Sequence, residues 1–133
     1  MRLALQTDFA MRTLMFLASR KTKPRARIAD VAGFFRISEP HVAKVVNQLA
    51  RLGYIRSVRG AGGGIELGRP AAEICIGDVI MAFEGNMHLL ECVGTENVCV
   101  IQKHCKLRVI LDRAERLQLD YLKEVRLSDV LPV

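Results

Sequence analysis

Apolar residues at Phe9, Leu14, Phe16 and Leu17 recur at helical spacing as far as Ser19, behind Thr7, whose hydroxyl suits a helix cap, and Asp8, an acid in the first turn. The run KTKPRAR breaks that period. A short second helix is predicted from Ile28 to Phe35, turning Val31, Ala32 and Phe35 inward and ending near Ile37. Ser38 caps a third, and Pro40 fits its opening turn, where a backbone N–H would be unpaired anyway. Along it Val42, Val45, Val46, Leu49 and Leu52 make one stripe at steps of three and four until Gly53 stops the helix. Its other face is polar, with His41, Lys44, Asn47, Gln48 and Arg51.

YIRSVRGAGGGIEL then reads as two short strands joined by a turn whose positive φ angles and small bulk favour glycine. Helix, helix, capped helix and basic hairpin make a winged helix-turn-helix, a mainly α fold with a small β-hairpin wing. In that arrangement the third helix enters the major groove of double-stranded DNA, and Ser38, His41, Lys44 and Gln48 are its candidate contacts. Arg59, with Gly62 and Gly63 of the wing, is placed for the adjacent minor groove. The glycine run lacks the Lys-Ser/Thr ending of a nucleotide-phosphate loop and does not lead from a strand into a helix.

Beyond the connector GRPAAE a short helix is predicted from Gly77 to Glu84 and a long one from Lys106 to Val125. Leu107, Ile110, Leu111, Ala114, Leu117, Tyr121, Leu122 and Val125 form an unbroken apolar stripe on the long helix, between Arg113, Glu115, Arg116 and Asp120. Such a stripe in so small a chain predicts a partner, and a homodimer would match a two-fold symmetric operator. Residues 1–70 are expected to form the DNA-binding head and residues 71–133 the loop and dimerisation helix, together one compact unit. A chain of 133 residues has room for one real core but not for two full domains.

Charge follows the same division. Residues 1–70 carry 13 Lys and Arg against 4 Asp and Glu, whereas residues 71–133 carry 7 against 10. A basic half suits a polyanion, because neutralising phosphates releases condensed counterions. The low aromatic content argues against a base-stacking platform for RNA or single strands. No paired acid and base, activated nucleophile or cofactor fingerprint marks an enzyme. The N-terminus lacks the pattern of a secretory signal and no stretch approaches bilayer length, so the expected place is the cytoplasm, away from membranes.

Cytosolic thiols stay reduced, so Cys92, Cys99 and Cys105, separated by six and then five residues, point to metal or redox chemistry rather than disulfides. The paired C-x2-C knuckle of a zinc ribbon is missing. Longer spacings can wrap a larger object, and thiolates select iron–sulfur clusters as well as zinc. Three thiolates leave one position open, for which His88, His104, Cys75 or a carboxylate of this or another subunit are candidates. Cys75 lies in an apolar run, where a free cysteine behaves as a small hydrophobe. His104 adjoins Cys105, and neighbouring residues rarely both face one metal.

The run MRLALQTDFAMRTLMFLA, the stretch VVNQLARLGYIRSVRGAGGGIELGRPAAEICIGDVI and the three-cysteine loop together resemble the Rrf-type winged-helix iron–sulfur regulators, in order over nearly the whole chain. QTDFAMRTL and NQLARLGYI are most similar to the nitrite-sensitive, nitric-oxide-responsive repressor branch. The resemblance implies a homodimer with one iron–sulfur cluster per subunit, held by Cys92, Cys99 and Cys105, a 4Fe-4S cluster in preference to a 2Fe-2S one. It implies too that Asp8 of the partner subunit completes the ligand set, with Arg12 near the cluster. Another branch uses a histidine just past the third cysteine, where this chain reads CKLR.

An oxygen ligand leaves iron more readily than a thiolate, so nitric oxide is expected to attack there, break the link from Asp8 to the other subunit's loop, loosen the dimer geometry that spaces the recognition helices and release DNA. The alternatives are a regulator of the same family answering to iron or cluster status, a zinc-stabilised transcription factor, and a redox or cluster-transfer enzyme or carrier.

Overall fold

The first helix, α1 (Leu5–Ala18), begins two residues ahead of Thr7 in the computed structural model of the chain, which describes residues 2–132. Ala4 sits at the cap position without a side-chain cap, and its N–H donates instead to Glu84 Oε1 at 2.7 Å, a contact reaching 80 residues along the chain. That tertiary carboxylate replaces the cap expected of Thr7. Thr7 itself is buried, its hydroxyl without a hydrogen-bond partner among the described residues.

The second helix, α2 (Ile28–Phe35), has the predicted bounds; Val31 and Ala32 are buried and Phe35 is half-buried. Arg36 turns the chain in the left-handed region at φ 57°, and α3 (Glu39–Arg51) follows. Ser38 Oγ accepts from the His41 N–H at 3.4 Å, the cap read from sequence. Val42, Val45, Val46 and Leu49 are buried, while Leu52 at the end of the stripe is exposed.

Strands β1 (Ile55–Val58) and β2 (Gly64–Leu67) pair antiparallel, with Ile55 opposite Leu67 and Val58 opposite Gly64. Sequence reading missed a third piece of this sheet. Ala26, just before α2, exchanges both backbone hydrogen bonds with Ile65, at 2.9 and 2.7 Å. Arg69 fixes the α3–β1 junction, its guanidinium 4.7 Å from the Tyr54 ring and its Nη2 donating to Leu52 O at 3.2 Å.

A one-turn helix (Ala71–Glu73) leads into α4 (Ile76–Glu84), which starts one residue before the predicted Gly77. Two short turns follow, α5 (Glu91–Gly94) and a single 3₁₀ turn (Gln102–His104), and then α6 (Lys106–Lys123), which ends two residues short of the predicted Val125. Beyond α6 the chain returns to the start of α4. Leu127 N–H donates to Ile74 O and Ile76 N–H to Val125 O, both at 2.9 Å. A Cβ on Gly77 would lie 2.8 Å from Lys123 N, so only glycine lets α4 approach the end of α6 this closely.

One continuous core joins both halves of the chain, drawing Leu14 and Leu17 from α1, Val45 and Leu49 from α3, Ile55 and Ile65 from the hairpin, and Val79, Ile80 and Leu127 from the C-terminal half. No helix among the described residues is long and apolar enough to cross a membrane.

Candidate functional site

Two separate surfaces hold the residues singled out by sequence. On the head, Ser38, His41 and Lys44 are exposed at the start of α3 and Gln48 is half-exposed one turn on. The His41 ring lies 6.0 Å from that of Phe9 in α1, so the start of α3 rests against the residue next to Asp8. Arg59 is exposed at the tip of the hairpin. Gly62 has φ 75°, a left-handed conformation that costs other residues, and a Cβ on Gly63 would sit 2.3 Å from Val58 O.

Across the strands Arg56 donates to Glu66 Oε1 through Nε at 3.0 Å and Nη2 at 2.6 Å, while Arg25 Nε lies 3.4 Å from Glu66 Oε2. The bond from Arg56 holds the Glu66 carboxyl below its usual range against the opposing effect of burial, and the charges of Arg56 and Arg25 add to that.

On the other surface are three free thiols. Cys92 lies half-buried in α5, Cys99 is exposed in the loop, and Cys105 is half-buried at the cap position just before α6. Gln102 organises the backbone between them. Its Oε1 accepts from the N–H groups of Val98 (2.8 Å) and Cys99 (3.4 Å), and its Nε2 donates to Cys92 O (3.0 Å) and to Thr95 O. Arg108 on α6 adds a bond from Nε to Cys92 O at 2.8 Å and one from Nη2 to Glu96 at 3.0 Å. Neither role was visible in the sequence, where a glutamine or arginine near a cysteine looks like any polar surface residue.

The fourth-ligand candidates fall in different places. His88 Nδ1 lies 2.6 Å from Glu115 Oε1, and its ring fills the space where a Cβ on Gly94 would stand. His104 is exposed at the end of its 3₁₀ turn. Cys75 is buried, and its thiol donates to Lys123 O at 3.3 Å, the role of a small core residue. Asp8 is on α1, half-exposed and paired with Arg12 Nε at 2.9 Å.

Among the described residues no three His, Cys, Asp or Glu side chains converge into a metal-holding group within the single chain. The donor chemistry nonetheless fits an iron–sulfur cluster: three soft, unoxidised sulfurs on one loop whose backbone is pinned by Gln102 and Arg108.

Residues 3–132 match the Rrf2 family, described as iron-dependent transcriptional regulator. The HTH-type transcriptional regulator NsrR of Geobacillus kaustophilus is 40% identical over 132 residues, which cover 98% of this chain and 90% of that protein. NsrR of Bacillus licheniformis is 37% identical over 132 residues, 98% of this chain and 92% of its own. Among solved structures, CymR, the global cysteine regulator of B. subtilis, shares the fold with a TM-score of 0.80 at 22% identity, covering 98% of this chain and 95% of that one. IscR of T. potens does so with a TM-score of 0.76 at 21% identity, covering 97% and 85%.

Proposed function

The chain belongs to the Rrf2 family of transcriptional regulators, and we propose that it is a homodimeric repressor that holds a two-fold symmetric DNA operator and lets go when nitric oxide reaches an iron–sulfur cluster bound by Cys92, Cys99 and Cys105. The observation that carries this reading is covalent continuity: Cys105 is the cap residue just before α6, and α6 buries no residue of its own within the chain. Leu107, Ile110, Leu117 and Tyr121 are 55, 62, 58 and 67% exposed and follow one another at steps of three, seven and four. A second copy of α6 would cover that seam. What happens at the third thiol is therefore felt at the start of the dimer helix.

When bound, an iron–sulfur cluster supplies iron that takes up nitric oxide. The chain's residues do the rest. Cys92, Cys99 and Cys105 would hold the cluster, a 4Fe-4S one in preference to 2Fe-2S, and Asp8, paired here with Arg12, would serve the partner's loop as the weaker oxygen donor. Because Phe9 rests on His41, a displacement at the start of α1 is passed to the start of α3. There Ser38, His41, Lys44 and Gln48 face base edges, with Arg59, Gly62 and Gly63 on the neighbouring groove.

Protein purified without oxygen should be coloured, contain inorganic sulfide along with iron, and shift selected genomic fragments until nitric oxide is added. One zinc per chain and no sulfide would replace this reading with a zinc-stabilised regulator. Release by iron depletion but not by nitric oxide would move the signal to iron status.

A further inference from the structure

The segment between α1 and α2 carries charge that the reading above leaves unused. From Arg20 to Arg27 the chain reads RKTKPRAR, five cations and no acid. Two of the five are committed to building the head. Arg20 lies 5.4 Å from the Phe16 ring and donates through Nε to Lys23 O at 2.7 Å. Arg25 pairs with Glu66 and donates to Gly62 O at 3.3 Å. Lys21, Lys23 and Arg27 are exposed, and among the described residues no carboxylate forms an ion pair with them. The nearby Asp30 is occupied by the Arg27 backbone N–H at 2.8 Å.

Position turns this patch from a solvated loop into a contact. The Ala26–Ile65 bridge makes the segment a third piece of the wing sheet, and Arg25 ties it to the wing turn. Between the segment, the outer face of α2 and the wing turn runs an open groove of about 1050 Å³, lined in part by Lys23, Arg27, Phe34, Gly62 and Gly63. Lys23 and Arg27 thus line the same groove as the wing glycines, and Lys21 lies two residues before Lys23 on the same exposed segment.

We propose that Lys21, Lys23 and Arg27 bind the phosphodiester backbone of duplex DNA beside the wing, a second and sequence-blind contact that supplements α3. The proposal rests on the DNA-binding reading of α3 and the wing. An acidic protein surface is the competing occupant. Continuity with the wing sheet favours DNA, since a protein partner there would have to share the groove with the duplex.

The test is the dependence of DNA affinity on salt, measured by fluorescence anisotropy with the full-length, cluster-loaded protein. The probes are one duplex selected from genomic fragments by the wild type and a scrambled duplex of equal length. Each phosphate contact contributes about one unit to the slope of log affinity against log salt. The triple variant Lys21→Gln, Lys23→Gln, Arg27→Gln should therefore be about three units shallower on both probes. Its preference for the selected duplex should not change, because phosphate contacts carry no sequence information.

An unchanged slope in the triple variant, while the wild type binds, overturns the proposal. If the wild type selects no genomic fragment and does not bind the scrambled duplex, the DNA-binding reading itself is overturned instead. Should the triple variant not fold, Lys21→Gln and Lys23→Gln singly should each be shallower by about one unit, and flat results there count against the proposal equally.

Discussion

A single carboxamide holds together the loop that carries the thiols. Gln102 satisfies two N–H groups and two carbonyls across the stretch from Cys92 to Cys99, while only 6% exposed itself. Replacing it with leucine would remove all four bonds, each contributing about 0.5–1.5 kcal/mol net. Gln102→Leu should abolish amide-exchange protection at Val98 and Cys99 in metal-free protein. If the loop holds the proposed cluster, the variant should also lose iron to a chelator faster than wild type.

Glu66 offers a second test on the same scale. Its carboxyl is held below the ordinary value of 4.5, first by the hydrogen bond from Arg56. A depressed carboxylate contributes stability at neutral pH and loses that contribution as pH falls below 4.5 and through its lower folded value. Thermal melts should therefore show Glu66→Gln less stable than wild type at pH 7, with the two curves converging on acidification.

Among the elements, the wing depends on two neighbouring glycines for different reasons. Gly62→Ala meets open space and strains only a left-handed backbone at φ 75°, about 1 kcal/mol. Gly63→Ala drives a Cβ into Val58 O at 2.3 Å, so the turn must open. The second variant should lose more DNA affinity than the first, and the exchange of hairpin amides should separate them in the same order.

The helices α2 and α3 were readable because their signals are local: a stripe at steps of three and four, Ser38 as a cap, and Pro40 in the first turn. The start of α1 was not, because Glu84 supplies its anchor from 80 residues away. For the same reason the Ala26–Ile65 bridge could not be read, as no pattern within KTKPRAR announces a strand partner across the wing. The three cysteines stand out as candidates by residue type and spacing, whereas Gln102 acquires its role only once the loop has closed around it.

For the whole molecule the test is assembly. The exposed seam of α6 includes Leu117 and Tyr121, so Leu117→Glu with Tyr121→Glu should sediment as a monomer with its helix content intact. If the proposed homodimer is the binding unit, loss of its second head should weaken operator binding on the order of 10²–10⁴-fold, the advantage that linking two binding units confers.

That seam lies wholly outside residues 1–70. In the homodimer proposed above, a chain whose head is ruined, for instance at Gly63, would still associate through α6 and would draw intact chains into crippled hybrids. In a cell expressing both alleles, head mutations should therefore behave as dominant, while seam mutations, whose products are ignored by their healthy siblings, should be recessive. Reporter expression in such merodiploids reads the difference directly.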